Sequence, residues 1–125
     1  MRAAYNGLKN RNGDCFTYFA LSKAMMERVG IENMDVERLP ELAAAVNERH
    51  YWNLVNIGTQ SEPQWYHFDA CHIKNAPTDW GFLMTDQQLI EFSNNRENAD
   101  GIVDYFYAYD TTKYPQSATE IITYP

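Results

Sequence analysis

The spacing of apolar side chains changes period along the chain, and each change marks an element. Arg2 to Asn10 reads as a short helix, and Arg11, Asn12, Gly13 and Asp14 break it with turn residues. From Cys15 to Val29 almost no helix breaker occurs and Gly30 supplies a C-terminal stop, so this segment is a helix. Its apolar residues, from Phe16 and Phe19 through Leu21 and Met25 to Val29, cover more than one face, which predicts a helix buried in the middle of the domain. Met34 to Leu39 reads as a short strand, and Pro40 followed by Glu41, Leu42 and three alanines reads as a helix with proline in its first turn. Tyr51 to Ile57 and Trp65 to Phe68 are strand-like, and the Gly58 to Gln64 stretch between them holds no apolar residue. An antiparallel hairpin is expected. A loop rich in Asn, Pro, Asp and Gly runs from Asn75 to Gly81, and Thr85 with Gln88 forms a capping box for a helix through Asn94. Ile102 to Tyr109, with its alternating aromatics, and Ile121 to Tyr124 are expected as further strands. Helices early and a strand meander later give an α+β domain.

Composition narrows the class. No repeat, low-complexity tract or long linker divides the 125 residues, so one domain over residues 1–125 is expected. At this size folding removes roughly two thirds of the unfolded chain's surface from water. The 6 Phe, 9 Tyr and 3 Trp can therefore build a core without covalent staples, and the 2 cysteines read as core filler, an occasional bridge or reactive thiols. The net charge of −7, with the basic residues scattered, lacks the cationic footprint that nucleic acids and anionic membranes require. No stretch reaches the ~18 consecutive apolar residues of a membrane span, and the first residues show no charged-then-apolar signal pattern.

Three residues stand where local structure alters their chemistry. Cys15 opens the long helix after the Gly13-Asp14 turn, where free N–H groups and the positive end of the macrodipole favour a thiolate, the nucleophilic form. His50 begins the first hairpin strand and Asp69 lies near the end of its partner, so the open end of the hairpin brings them within hydrogen-bond reach. An imidazole that takes a proton from a thiol and returns it to a leaving amine needs one tautomer, which a carboxylate on its other nitrogen secures. His67, Asp69, Cys71 and His72 offer nitrogen, oxygen and sulfur, but 67, 69 and 71 share a strand face while 72 points away, and no paired spacing supports a metal. Cys71, placed inside that strand, reads as an inert core thiol.

These residues carry a resemblance. Gly13-Asp14-Cys15 opening a helix with Tyr18, Ala20 and Leu21 and closing at Gly30-Ile31, then His50-Tyr51-Trp52-Asn53-Leu54-Val55 and Trp65-Tyr66-His67-Phe68-Asp69-Ala70, resemble the bacterial transglutaminase-like domains, relatives of the papain-like cysteine peptidases. Phe82-Leu83-Met84-Thr85-Asp86 and Tyr107-Ala108-Tyr109-Asp110 with Tyr114-Pro115 are similar to the C-terminal part of secreted or surface-attached members. The resemblance covers nearly the whole chain. It implies a papain/transglutaminase-like α+β fold, in which N-terminal helices and a buried nucleophile-bearing helix pack on an antiparallel sheet. It also implies a catalytic Cys15, His50 and Asp69 and an extracellular or cell-surface location. Members carry more chain before the nucleophile, so a domain of a longer protein is expected, with the Cys15 N–H as one oxyanion donor. The expected chemistry is acyl transfer from a peptide or carboxamide, with water as acceptor in a cysteine peptidase or amidase. A lysine acceptor gives a crosslinking transglutaminase. A non-catalytic module using Trp52 and Trp65 to hold a peptide or glycan is the alternative from another class. The expected protein is a monomer acting on a protein or peptide, without cofactor or metal, without nucleic acid and without a membrane-spanning segment.

Overall fold

The computed structural model describes residues 2–10, 13–46, 48–97 and 100–123. In chain order the elements are α1 (Arg2–Asn10), α2 (Cys15–Arg28), β1 (Asn33–Glu37), α3 (Pro40–Val46), β2 (Tyr51–Asn56), β3 (Trp65–Phe68), α4 (Asp86–Asn94) and a 3-10 turn at Thr111–Lys113. The protein is a small mixed α+β domain with one three-stranded antiparallel sheet, in the order β1-β2-β3. Among the described residues no helix is long and apolar enough to cross a membrane. Of the polar break between α1 and α2, Arg11 and Asn12 lie outside the described residues.

Pairing fixes which side chains share a face. Val36 lies opposite Trp52 and Met34 opposite Leu54, while Leu54 in turn pairs with His67. Because paired residues point to the same side, Val36, Trp52, Leu54 and His67 occupy one face, and Asp35, Tyr51, Asn53 and Val55 the other. On the first face Leu89 of α4, Met84, Ile73 and Tyr107 close over Val36, Trp52 and Leu54 to form the main core. On the second face lies α2, through Phe16 and Phe19 against Tyr51 (ring centroids 5.3 and 5.7 Å) and the Lys23–Asp35 ion pair at 2.9 Å. A smaller cluster of Ala4, Phe19 and Ala20 joins α1 to α2 there.

Three expectations are corrected. Helix α2 is not buried: Phe19 and Ala20 are, but Phe16, Tyr18 and Met25 are exposed, as is Val29 at its end. Its apolar residues spread round the helix because only one flank meets the sheet and α1. Ile102 to Tyr109 is not a strand either. Tyr105 adopts φ +47°, which no extended strand permits, and Phe106 and Tyr107 turn. Their N–H groups go to Asp104 Oδ1 (3.1 Å) and Ser93 Oγ (2.9 Å), so the aromatic alternation records burial of side chains and not pairing of backbone. The described part of Ile121 to Tyr124, residues 121–123, is irregular as well, and Tyr124 lies outside the described residues. Just before it, Ala118 N–H donates to the Trp65 carbonyl (2.9 Å) and the Tyr66 hydroxyl to the Glu120 carbonyl (2.9 Å), running the chain's end beside β3.

Candidate active site

Cys15 is the first residue of α2 because Asp14 caps it. The Asp14 carboxylate accepts from Thr17 N–H (3.0 Å) while the Thr17 hydroxyl accepts from Asp14 N–H (3.3 Å), a reciprocal capping box. The thiol of Cys15 donates to the carbonyl of Arg49 (3.5 Å), the residue directly before His50. Cys15 and His50 thus approach the leading end of β2 from opposite faces of the sheet, and the hydrogen bond of the thiol goes to the Arg49 carbonyl.

The capping arrangement reverses one expectation. The helix N-terminus was to favour the thiolate, yet burial, and after it the Asp14 carboxylate, push the Cys15 thiol above its ordinary pKa. The Phe16 N–H pulls the other way and is outweighed. The N–H groups that would stabilise a thiolate serve a carboxylate already in place one residue upstream.

His50 is 4% exposed and Asp69 5%, and Nε2 of His50 meets Oδ2 of Asp69 at 2.7 Å. The register does not set them opposite one another. Extended from the Asn53–Phe68 pair, it would face Asp69 with Trp52. The chain leaves β2 after Phe68: Asp69 N–H donates to the Gly81 carbonyl (2.7 Å) and Cys71 N–H to Asp69 Oδ1 (3.0 Å), which turns Oδ2 toward His50. Gly81 has φ +100° and no room for a Cβ against the Asp69 carbonyl, so glycine is required where the two segments cross. With Nε2 on a carboxylate, Nδ1 is the nitrogen left for proton exchange.

Tyr107 is buried in the main core, and nothing in the sequence around it marks the role of its hydroxyl. That hydroxyl accepts from Trp80 Nε1–H (3.1 Å), an obligatory donor, and therefore spends its own hydrogen on Asp69 Oδ2 (2.8 Å). Burial first, and then the Asp69 charge, drive the Tyr107 phenol far above its ordinary pKa, so it remains a donor. Arg38 was also missed. Its buried guanidinium donates to the carbonyls of Phe106 (2.9 Å) and Glu48 (3.1 Å), and its backbone N–H to the His50 carbonyl (3.0 Å), so it pins the segment that carries His50. Neither contact leaves a local signal, since Tyr107 and Asp69 lie 38 residues apart.

Trp52 and Trp65, the expected substrate-binding residues, are both buried in the main core and offer no ring to a ligand. The aromatics beside Cys15 that do reach solvent are Phe16 and Tyr51, in a groove of about 780 Å³ between α1, α2 and β1 that Lys23, Asp35 and Tyr114 also line. Cys71 is not inside a strand, because β3 ends at Phe68. It is a free thiol, as is Cys15, and burial and then the neighbouring Asp69 push it up to about 11. Of the metal candidates, His67 and Asp69 are buried in separate contacts and His72 is exposed, and no group of three or more described ligating side chains could hold a metal ion.

The geometry defines a small α+β domain with a buried imidazole–carboxylate pair beside a helix-opening thiol. The chain matches no family model, no curated protein and no solved structure.

Proposed function

We propose that the protein is a thiol-dependent acyl-transfer enzyme of the transglutaminase-like kind, hydrolytic in its ordinary turnover. The observation that carries this is the buried His50–Asp69 pair at 2.7 Å, set beside a cysteine whose thiol rests on the carbonyl preceding that histidine. In this reading Cys15 attacks a peptide or carboxamide carbonyl while Nδ1 of His50 takes the thiol proton. Because the thiol pKa is raised, the resting cysteine is predominantly protonated and His50 draws off its proton as attack proceeds. The Cys15 N–H at the start of α2 faces the developing oxyanion. His50 then returns the proton to the leaving amine, releasing it and leaving a thioester, and water activated by His50 hydrolyses that ester. Asp69 fixes the ring and stabilises the imidazolium; Tyr107 and the Cys71 N–H hold Asp69.

The test is turnover of a peptide library followed by mass spectrometry, with and without an added amine, for wild type, Cys15→Ala, His50→Ala, Asp69→Asn and the double variant. Single contributions of this kind are worth ~10² to 10⁴ in rate and act as a unit. His50→Ala should approach the Cys15→Ala background, Asp69→Asn should retain more, and the double variant should be hardly worse than His50→Ala. Losses that multiply in fully folded proteins would mean that His50 and Asp69 do not work together.

A further inference from the structure

A second histidine and carboxylate lie behind the first pair, the histidine fully buried. The indole of Trp52, itself 0% exposed, lies along the His50 ring, with centroids 5.8 Å apart and planes 27° apart. Its N–H goes to Nδ1 of His67 at 3.0 Å. An indole N–H can only donate, so Nδ1 accepts and the ring proton of His67 sits on Nε2, which donates to Asp86 Oδ1 at 2.7 Å. Asp86 is held in turn by the Tyr109 hydroxyl on Oδ1 (3.1 Å), by Ser117 N–H on Oδ2 (3.0 Å) and through its own N–H on Ser117 Oγ (2.7 Å). His67 is 0% exposed, a place where an aliphatic side chain would fill space without the cost of burying two ring nitrogens. What the imidazole adds is one acceptor for Trp52 and one donor for Asp86, in one rigid plane.

We infer that His67, backed by Asp86, is a positioning residue for the acyl-transfer reaction: it fixes the plane of the Trp52 indole and, through that indole, the plane of His50. Phe106 and Tyr107 bound the other sides of the His50 ring at 4.7 and 5.8 Å, so in a close-packed interior a turn of the indole must be answered by a turn of the imidazole. The inference rests on the reading of Cys15 as nucleophile and His50 as its base.

The experiment measures alkylation of Cys15 by iodoacetamide at pH 7 and pH 10 in a Cys71→Ser background, beside thermal melts and the Trp52 indole N–H resonance. His67→Leu removes both hydrogen bonds, whereas His67→Gln offers an oxygen to Trp52 and an N–H to Asp86 in the same order. At pH 7, where alkylation needs His50, His67→Leu should lose about 5- to 10-fold and His67→Gln should stay within about twofold of wild type, a loss on the scale of small misplacements in a reacting constellation. At pH 10 ionisation replaces the base, so the difference should close. Once His50→Ala is present, His67→Leu should add nothing. If His50→Ala slows alkylation while folded His67→Leu does not, the inference is overturned and the acyl-transfer reading stands. Alkylation of His50→Ala at the wild-type rate would instead remove the reading beneath it. Should His67→Leu fail to fold, Trp52→Phe keeps the ring and drops the N–H; a wild-type rate there overturns the inference, and a loss at pH 7 that closes at pH 10 supports it.

Discussion

Asp14 is at once the residue that starts α2 and the nearest charge opposing ionisation of Cys15, so exchanging it for asparagine separates the two roles. Asparagine caps a helix about as well as aspartate, and its side-chain oxygen can take over the Thr17 N–H bond. The negative charge disappears, which lowers the Cys15 pKa, because a thiolate no longer meets a carboxylate one residue away. For a separation of about 6 Å and an effective dielectric of about 40 to 80, suited to an exposed carboxylate, Coulomb's law gives about 0.7 to 1.4 kcal/mol, or about 0.5 to 1 pKa unit. Below the thiol pKa the thiolate fraction rises by the same power of ten, roughly 3- to 10-fold. Intrinsic nucleophilicity falls with basicity at a Brønsted slope of about 0.4 to 0.5, so the net gain in alkylation at pH 7 is about 2- to 4-fold. The assay is iodoacetamide labelling of Asp14→Asn in the Cys71→Ser background, with helix content followed by circular dichroism. The cost in stability should be about 0.3 to 0.5 kcal/mol, the loss of one charge at a helix N-terminus. A fully helical Asp14→Asn protein whose Cys15 reacts no faster than wild type would refute the claim that the cap and the nucleophile compete.

Two further outcomes follow from the same geometry. Gly81→Ala places a Cβ against the Asp69 carbonyl at a φ that alanine avoids, so it should cost about 2 to 4 kcal/mol and lower Cys15 labelling at pH 7 toward the His50→Ala value; an unchanged melting temperature would contradict the crossing described above. At Asp86 burial raises the carboxyl pKa, but the hydrogen bonds from His67, Ser117 and Tyr109 outweigh it and the net direction is downward. A depressed folded pKa contributes stability that is present above the unfolded value of about 3.9 and is lost as pH falls through the lower folded value. The melting temperature of Asp86→Asn should therefore lie below wild type at pH 7, and the gap should narrow below about pH 4; a gap independent of pH would show that the charge is not what matters.

Much of this architecture is readable in local chemistry. Thr85 and Gln88 cap α4, Pro40 opens α3, Gly30 at φ +80° follows α2, and the polar Gly58 to Gln64 turn joins β2 to β3, each because a few neighbouring residues settle the matter. A hairpin brings His50 and Asp69 near its open end, but their contact itself depends on the crossing at Gly81 that turns Asp69 toward His50. What was not legible depends on segments far apart in the chain. Tyr107 reaches Asp69, and Trp52 is tied through His67 to Asp86, only after α4 and the aromatic loop have closed over the sheet. The direction of the Cys15 shift is not legible for two reasons: the burial of the thiol depends on the fold around it, and the Asp14 carboxylate that caps the helix adds its charge. The aromatic run from Tyr105 misled because period-two burial arises equally in a strand and in a loop that sends alternate rings into a core.

The two halves of the reacting constellation belong to different hydrophobic clusters. His50 touches Trp52, Phe106 and Tyr107, in and against the cluster built on Val36, Leu54 and Leu89, whereas Cys15 rides on a helix held through Ala4, Phe19 and Ala20. The smaller cluster has less apolar surface to lose, so it opens at lower free energy than the larger one. Heat, denaturant or mutation in α1 should therefore loosen α2 and Cys15 before it disturbs the His50–Asp69 pair. The pair His50–Asp69 should survive as an intact remnant in a molecule whose α2 has already loosened, and amide exchange should find α2 releasing its protons while β2 still holds them.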